Sequence, residues 1–193
     1  GKRQAAAPKL AAGITAQLRD LGFKKSDFGI TLVTHDQPTA HGLEGVEFLF
    51  APNPGEPRKP LKAIASSGEI SRVMLAVKSS LAAEDTISLL VFDEIDANVG
   101  GEIAHAVGAK MRTLARERQV LCITHLPQVA AVADAQFVVT KDYAKERTVS
   151  QLEKVEGKAR VEEIARMLGG KTESALAHAR TLLGIRRAEN GTG

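Results

Sequence analysis

The clearest pattern in the chain is two short apolar runs joined by a helix-spaced stretch. Leu89-Leu90-Val91-Phe92, with Ile87 just upstream, predicts a strand buried on both faces, as in a parallel sheet. Val120-Leu121-Cys122-Ile123 predicts a second. Between them Ile103, Val107, Met111 and Leu114 recur at the spacing of one helix face. Strand, crossover helix, strand is a βαβ unit, so the two strands are expected to run parallel with their carboxyl ends side by side. Ahead of the first strand, Ile70, Val73, Met74, Val77 and Leu81 mark a helix reaching about Ala82. It opens at Ser66-Ser67-Gly68-Glu69, where a serine is suited to the N-cap and Glu69 stands three residues after Ser66, as in a capping box.

The flanks read more loosely. Leu10, Ile14, Leu18 and Leu21 predict a helix from Gln4 to Asp20, stopped by Gly22. Phe28 to Val33 and Gly45 to Phe50 predict two strands paired as a hairpin. Four prolines between Pro52 and Pro60 exclude helix and central strand, leaving an extended connector whose Arg58 and Lys59 read as a solvated face. After a short helix from Leu126-Pro127 come strands at Phe137 to Thr140 and Thr148 to Leu152. Helices follow at Val161 to Leu168, ended by Gly169-Gly170, and from Thr172 to Leu183, before a frayed tail with Arg186 and Arg187.

Composition narrows the class. A chain of 193 residues with 44% hydrophobic and 25% charged content is expected to fold as one domain with at most a small appendage. No apolar run reaches the ~18 residues of a membrane span, and no apolar stretch follows Gly1-Lys2-Arg3-Gln4 as a secretory signal would require. The missing initiator Met suggests a piece of a longer chain. One cysteine, Cys122, excludes an internal disulfide and fits a reducing cytoplasm. A net charge of +3 permits contact with nucleic acid; with no Trp and one Tyr, phosphate contact is the expected mode rather than base stacking. Lys24-Lys25, Arg58-Lys59 and Arg186-Arg187 are candidates for it by charge alone, and solvated surface explains each pair equally simply.

The chemistry sits at strand ends. The first strand ends in Asp93-Glu94, and in open α/β sheets ligands bind at the carboxyl ends of strands. An apolar strand ending in two acids suits a nucleotide hydrolase: one carboxylate for the Mg²⁺ on the phosphates, the next for the attacking water. The second strand ends in Thr124-His125, which the βαβ argument sets beside those acids. The Ser66-Ser67-Gly68-Glu69 helix start has backbone N–H groups and hydroxyls suited to an anion. Gly169-Gly170-Lys171-Thr172 imitates the end of a phosphate-binding P-loop, G-x-x-x-x-G-K-[ST]. Position 165 is Ala rather than Gly, and a helix precedes it rather than a strand, so we read a helix C-cap followed by an N-cap. The chain therefore carries no Walker A loop.

A Ser-rich helix start, a strand ending Asp-Glu and a strand ending in His, in that order, resemble the C-terminal lobe of an ABC-type ATPase head of the SMC kind. "SSGEISRVMLAVK", "VFDEIDANVGG", "VLCITHLPQVAAVAD" and "RVEEIARMLGG", spanning residues 66 to 170, are similar to the RecN family of bacterial recombination-repair ATPases. The resemblance implies an α/β fold: a mainly parallel sheet, flanking helices and a small β extension, with residues 1–24 as the end of a coiled-coil helix and 25–193 as the lobe. It implies that Ser66, Ser67, Gly68 and Glu69 form the signature motif that contacts ATP held by an opposing head. By the same likeness Asp93 serves Mg²⁺ through water, Glu94 is the general base, His125 senses the γ-phosphate, and Asp96 to Gly100 cross the dimer interface. Ser67 stands where the family has Gly, a costly exchange if that position needs positive φ or close backbone approach. Gly100 stands where many such ATPases carry Asp, so no catalytic acid is assigned there.

The implied cofactors are ATP and Mg²⁺. The implied partners are an N-terminal lobe carrying the Walker A loop, a second head in an ATP-dependent dimer, and DNA, with no membrane. The implied setting is double-strand break repair and recombination in the cytoplasm, on the nucleoid. A competing reading makes ATP a clamp for head–head association that tethers DNA, with hydrolysis slow or incidental.

Overall fold

The computed structural model describes residues 1–40, 42–64, 66–144 and 147–185. These fall into two units, residues 1–123 and the chain from Thr124 onward.

In the first unit, apolar spacing builds three α-helices among the described residues around a hairpin and a strand pair. Helix α1 (Lys2–Asp20) buries only Ile14 and Leu18, so its last two turns are the docked ones. The chain then turns through Leu21 and Phe23, both buried, into β1 (Asp27–Thr39) and β2 (Gly42–Ala51). These pair antiparallel with Phe28 opposite Phe50 and Leu32 opposite Val46, a longer hairpin than the sequence predicts. Phe23 meets Phe50 edge to face at 5.2 Å, closing the hairpin base over the core. The proline connector adds a two-residue edge strand, β3 (Lys59–Pro60), beside Leu49–Phe50. An edge is where a residue without N–H can sit. Arg58 is not simply solvated: its guanidinium forms a fork with Asp27 at 2.6 and 2.8 Å and lies across Gly29.

Helix α2 (Ser67–Ser80) begins where the serine cap predicts, with the Ser66 hydroxyl accepting from the Glu69 amide at 3.3 Å. Strands β4 (Leu89–Phe92) and β5 (Gln119–Cys122) run parallel, Leu90 opposite Val120 and Phe92 opposite Cys122, joined by α3 (Gly101–Leu114). The βαβ expectation holds. The expectation that β4 is buried on both faces does not. Leu90 and Phe92 face the core, while Leu89 and Val91 are 46% and 57% exposed, and Leu121 on β5 and Ile123 just after it are 51% and 58% exposed. An unbroken apolar run encodes two faces that avoid water, and within this unit only one of them is covered.

The second unit opens with α4 (Pro127–Ala131), continues into the antiparallel hairpin β6 (Gln136–Ala144) and β7 (Arg147–Val155), and ends in α5 (Gly157–Met167) and α6 (Glu173–Leu182). Its core gathers Ala130, Ala131, Val161, Ile164, Ala165 and Ala179. Arg160 braces it, donating to the carbonyls of Ala130, Ala131 and Ala133 at the end of α4. The architecture is α/β as expected, but the sheet is not mainly parallel among the described residues. One parallel pair stands with two antiparallel assemblies, β1-β2-β3 and β6-β7. Both antiparallel segments are hairpins of local sequence, which need no crossover helix. Arg186 and Arg187 lie outside the described residues.

Candidate active site

The site forms where the first turn of α2 meets the loop after β4. Glu94 has φ of +55° and Asn98 has φ of +59°, so the segment between them is a kinked loop bounded by left-handed residues. Asn tolerates that region; Glu does so at a cost of about 1–2 kcal/mol. Strain of this kind persists only where the surroundings over-determine it. The surroundings here are α2. Gly68 has no room for a side chain: a Cβ would lie 2.8 Å from the Ala97 methyl and 3.0 Å from the Glu94 carbonyl oxygen. The Ser71 hydroxyl donates to the Asp93 carbonyl at 2.9 Å. The Arg72 guanidinium donates to the carbonyls of Ile95 and Ala97 at 3.3 and 3.0 Å. Inside the loop the Ala97 amide returns to the Glu94 carbonyl at 3.1 Å.

The side chains of Asp93 and Glu94 are exposed at the strand end, as are Ser67 and, further round the loop, Asn98 and Gly100. Asp96 is only 3% exposed, so it belongs to the body of the loop and not to its outer surface. Acidic charge also registers on β5: burial, followed by Asp96 and Asp93, pushes the Cys122 thiol up to about 12. Burial also depresses the Arg72 guanidinium, against a smaller opposing pull from Glu69. Ser67 is the first residue of α2 with no positive φ, so serine in place of glycine adds no backbone strain there. The glycine that this packing requires is Gly68.

Ser66, Ser67, Gly68, Glu69, Asp93 and Glu94 thus share one corner of the first unit. His125 belongs to the second unit, exposed in a turn where the Leu126 amide donates to the Thr124 hydroxyl at 3.0 Å. The P-loop imitation at 169–172 is the cap pair read from sequence. Gly169 and Gly170 take φ of +109° and +144°, the Thr172 hydroxyl accepts from the Ala175 amide, and Lys171 pairs with Glu162 at 2.8 Å. Sequence reasoning missed Ser71 and Arg72. The available signal was spacing, since Arg72 stands one turn after Gly68 on the same helix face.

No protein-family model matches the chain. Curated relatives do. The DNA repair protein RecN of Treponema pallidum is 44% identical over 190 residues, covering 94% of this chain and 33% of the relative. RecN of Deinococcus radiodurans is 47% identical over 182 residues, covering 94% and 32%. The chain is a RecN-like sequence. It spans about a third of the length of these RecN relatives. Among solved structures, the Smc head domain with a coiled coil and joint from Pyrococcus yayanosii superposes with a TM-score of 0.59 at 21% identity, covering 81% of this chain and 28% of that one. The Smc head domain with an extended coiled coil bound to the C-terminal domain of ScpA, from Pyrococcus furiosus, gives 0.55 at 21%, covering 82% and 36%. RecN likeness in sequence thus goes with an SMC-head fold.

Proposed function

We propose that this chain is the C-terminal lobe of a RecN-type, SMC-like ATPase head acting in DNA double-strand break repair and recombination, on the nucleoid in the cytoplasm. The observation that carries the reading is the docking of the α2 start against the Asp93-Glu94 loop, with Glu94 held in a left-handed conformation. A helix start with free N–H groups locked to a pair of strand-end acids presents an anion-binding end and a general base in fixed relation.

In this reading Ser66, Ser67, Gly68 and Glu69 face ATP held by a second head. Bound Mg²⁺ and ATP would supply the phosphates and the charge that neutralises them. Asp93, an exposed carboxylate at a strand end, fits an outer partner of the metal. No cluster of three acidic, His or Cys side chains able to hold a metal exists among the described residues. Glu94 orients the attacking water, and His125 has the role of γ-phosphate sensor that the resemblance implies. Residues 1–24 bring the end of a coiled coil into the lobe, and DNA is met through its phosphates. Among the basic pairs, Lys24 and Lys25 are exposed, whereas Arg58 is already held by Asp27.

The missing Walker A loop would come from an N-terminal lobe. Leu89, Val91, Leu121 and Ile123 form an uncovered apolar face on the β4–β5 pair, the kind of surface a second lobe covers. The test is Glu94→Gln in the full-length protein. Turnover is expected to fall by about 10²–10⁴-fold, the usual range for a general base, while ATP-dependent dimers last longer. Turnover surviving the change would remove Glu94 as base, and dimers forming on ATP without any Glu94-dependent turnover would favour the clamp.

A further inference from the structure

We propose that Arg72 is a positioning residue that transmits head engagement to Glu94. The proposal rests on the ATPase reading above and concerns how that site is assembled. Arg72 is only 7% exposed, yet its partners are two loop carbonyls and the face of Phe23, 5.3 Å away, rather than a carboxylate. Its Nε finds no hydrogen-bond partner. A buried cation so placed is costly as a mere filler of space, because its desolvation is offset only by dipoles and a ring.

What those dipoles are gives the residue its role. Ile95 and Ala97 lie between the two left-handed residues, Glu94 and Asn98, so their carbonyls belong to the strained segment itself. A planar guanidinium can hold two acceptors in one plane, which a point charge does less well. One turn earlier on the same helix, Gly68 abuts Glu94 and Ala97, and between them Ser71 holds the Asp93 carbonyl. Residues 68, 71 and 72 of one rigid helix therefore grip four of the five loop positions from 93 to 97. A shift of α2 along its axis moves the backbone that aims Glu94. The end of α2 that feels a second head, Ser66 to Glu69, is the end nearest this grip. Phe23 ties the same guanidinium to the segment leaving α1.

The experiment compares full-length wild type with Arg72→Met and Arg72→Lys. ATP turnover is measured against both ATP and protein concentration, alongside thermal melting. The expected result for Arg72→Met is a kcat at least tenfold lower, with KM and the protein concentration giving half-maximal activity within twofold of wild type. Arg72→Lys should recover part of kcat. A merely structural Arg72 would instead lower the melting temperature while leaving kcat intact, and that outcome overturns the proposal. Should the Met variant fail to fold, Arg72→Lys alone decides: reduced kcat with KM and melting preserved supports the role, and unchanged kcat overturns it. Wild type must also lose turnover on Glu94→Gln. If it does and Arg72→Met does not, the ATPase reading stands without the transmission; if neither matters, both readings fall.

Discussion

Two helix starts in this chain look equally ready to bind an anion, and only one packs against a loop carrying strand-end acids. At α2, Ser66 caps the helix through the Glu69 amide at 3.3 Å; at α6, Thr172 does the same through the Ala175 amide at 3.2 Å. Each lies beside a glycine, and each has the look of a nucleotide-binding motif. The glycines differ in kind. Gly169 and Gly170 serve backbone conformation, with φ of +109° and +144° and open space where side chains would go. Gly68 has ordinary helical φ and serves contact, since a methyl group there would strike Ala97 and the Glu94 carbonyl. A free helix end is common; a helix end pressed against a strained acidic loop is not. Packing behind the motif, rather than the motif, separates the two.

Substitutions can break that comparison. Gly68→Ala should have the largest effect. Overpacking costs about 1–3 kcal/mol, and displacing the Glu94 loop by about 1 Å should lower turnover roughly 10²-fold, read by melting and ATPase assays of the full-length protein. Gly169→Ala should lose a comparable ~1–2 kcal/mol through positive φ and leave turnover unchanged. Equal losses of turnover from both would erase the distinction. Ser66→Ala and Thr172→Ala should each cost about 1 kcal/mol as lost caps, with turnover falling only for Ser66.

The far end of α2 sharpens the picture. Lys78 on that helix holds Asp85 at 2.7 Å, and its hydrogen bond, with smaller help from the Ile87 amide and Arg118, keeps the Asp85 carboxyl below the usual carboxylate range. A carboxyl depressed in the folded state stabilises the fold above its unfolded pKa, about 3.9. That contribution is lost as pH falls through the lower folded value. Melting curves of Asp85→Asn between neutral pH and pH 3 should therefore show a shallower acid decline than wild type. The smallest effect concerns Cys122, whose thiol is pushed up to about 12 by burial, Asp96 and Asp93. At pH 8 the folded chain should alkylate far more slowly than the unfolded chain, and equal rates would contradict the packing described for β5.

Much of this was legible in the sequence. The βαβ unit, the Ser66 cap, the strand-end acids and the false P-loop all rest on local spacing, and the structure reproduces each. What was hidden is non-local. Leu89-Leu90-Val91-Phe92 states that both faces avoid water; it cannot state whether this chain or another covers Leu89 and Val91. Arg72 drew no reading from the sequence because propensity does not reveal that Ile95 and Ala97 turn their carbonyls inward. Glu94 gives no sign of positive φ, since its strain is imposed by α2 and not by its own preferences. The resemblance drew attention to the serine at 67, whereas packing makes Gly68 the constrained position. The likeness aligned residues, and only the contacts showed which of them is tight.

The composite site is the central claim, and mixing tests it most directly. This chain would be co-expressed with the lobe of its parent that carries a phosphate-cradling loop, and steady-state ATP turnover compared with that of each part alone. Turnover in the combination only, abolished by Glu94→Gln on this chain, is the predicted result. Full turnover from the other lobe alone, or turnover indifferent to Glu94, would contradict it.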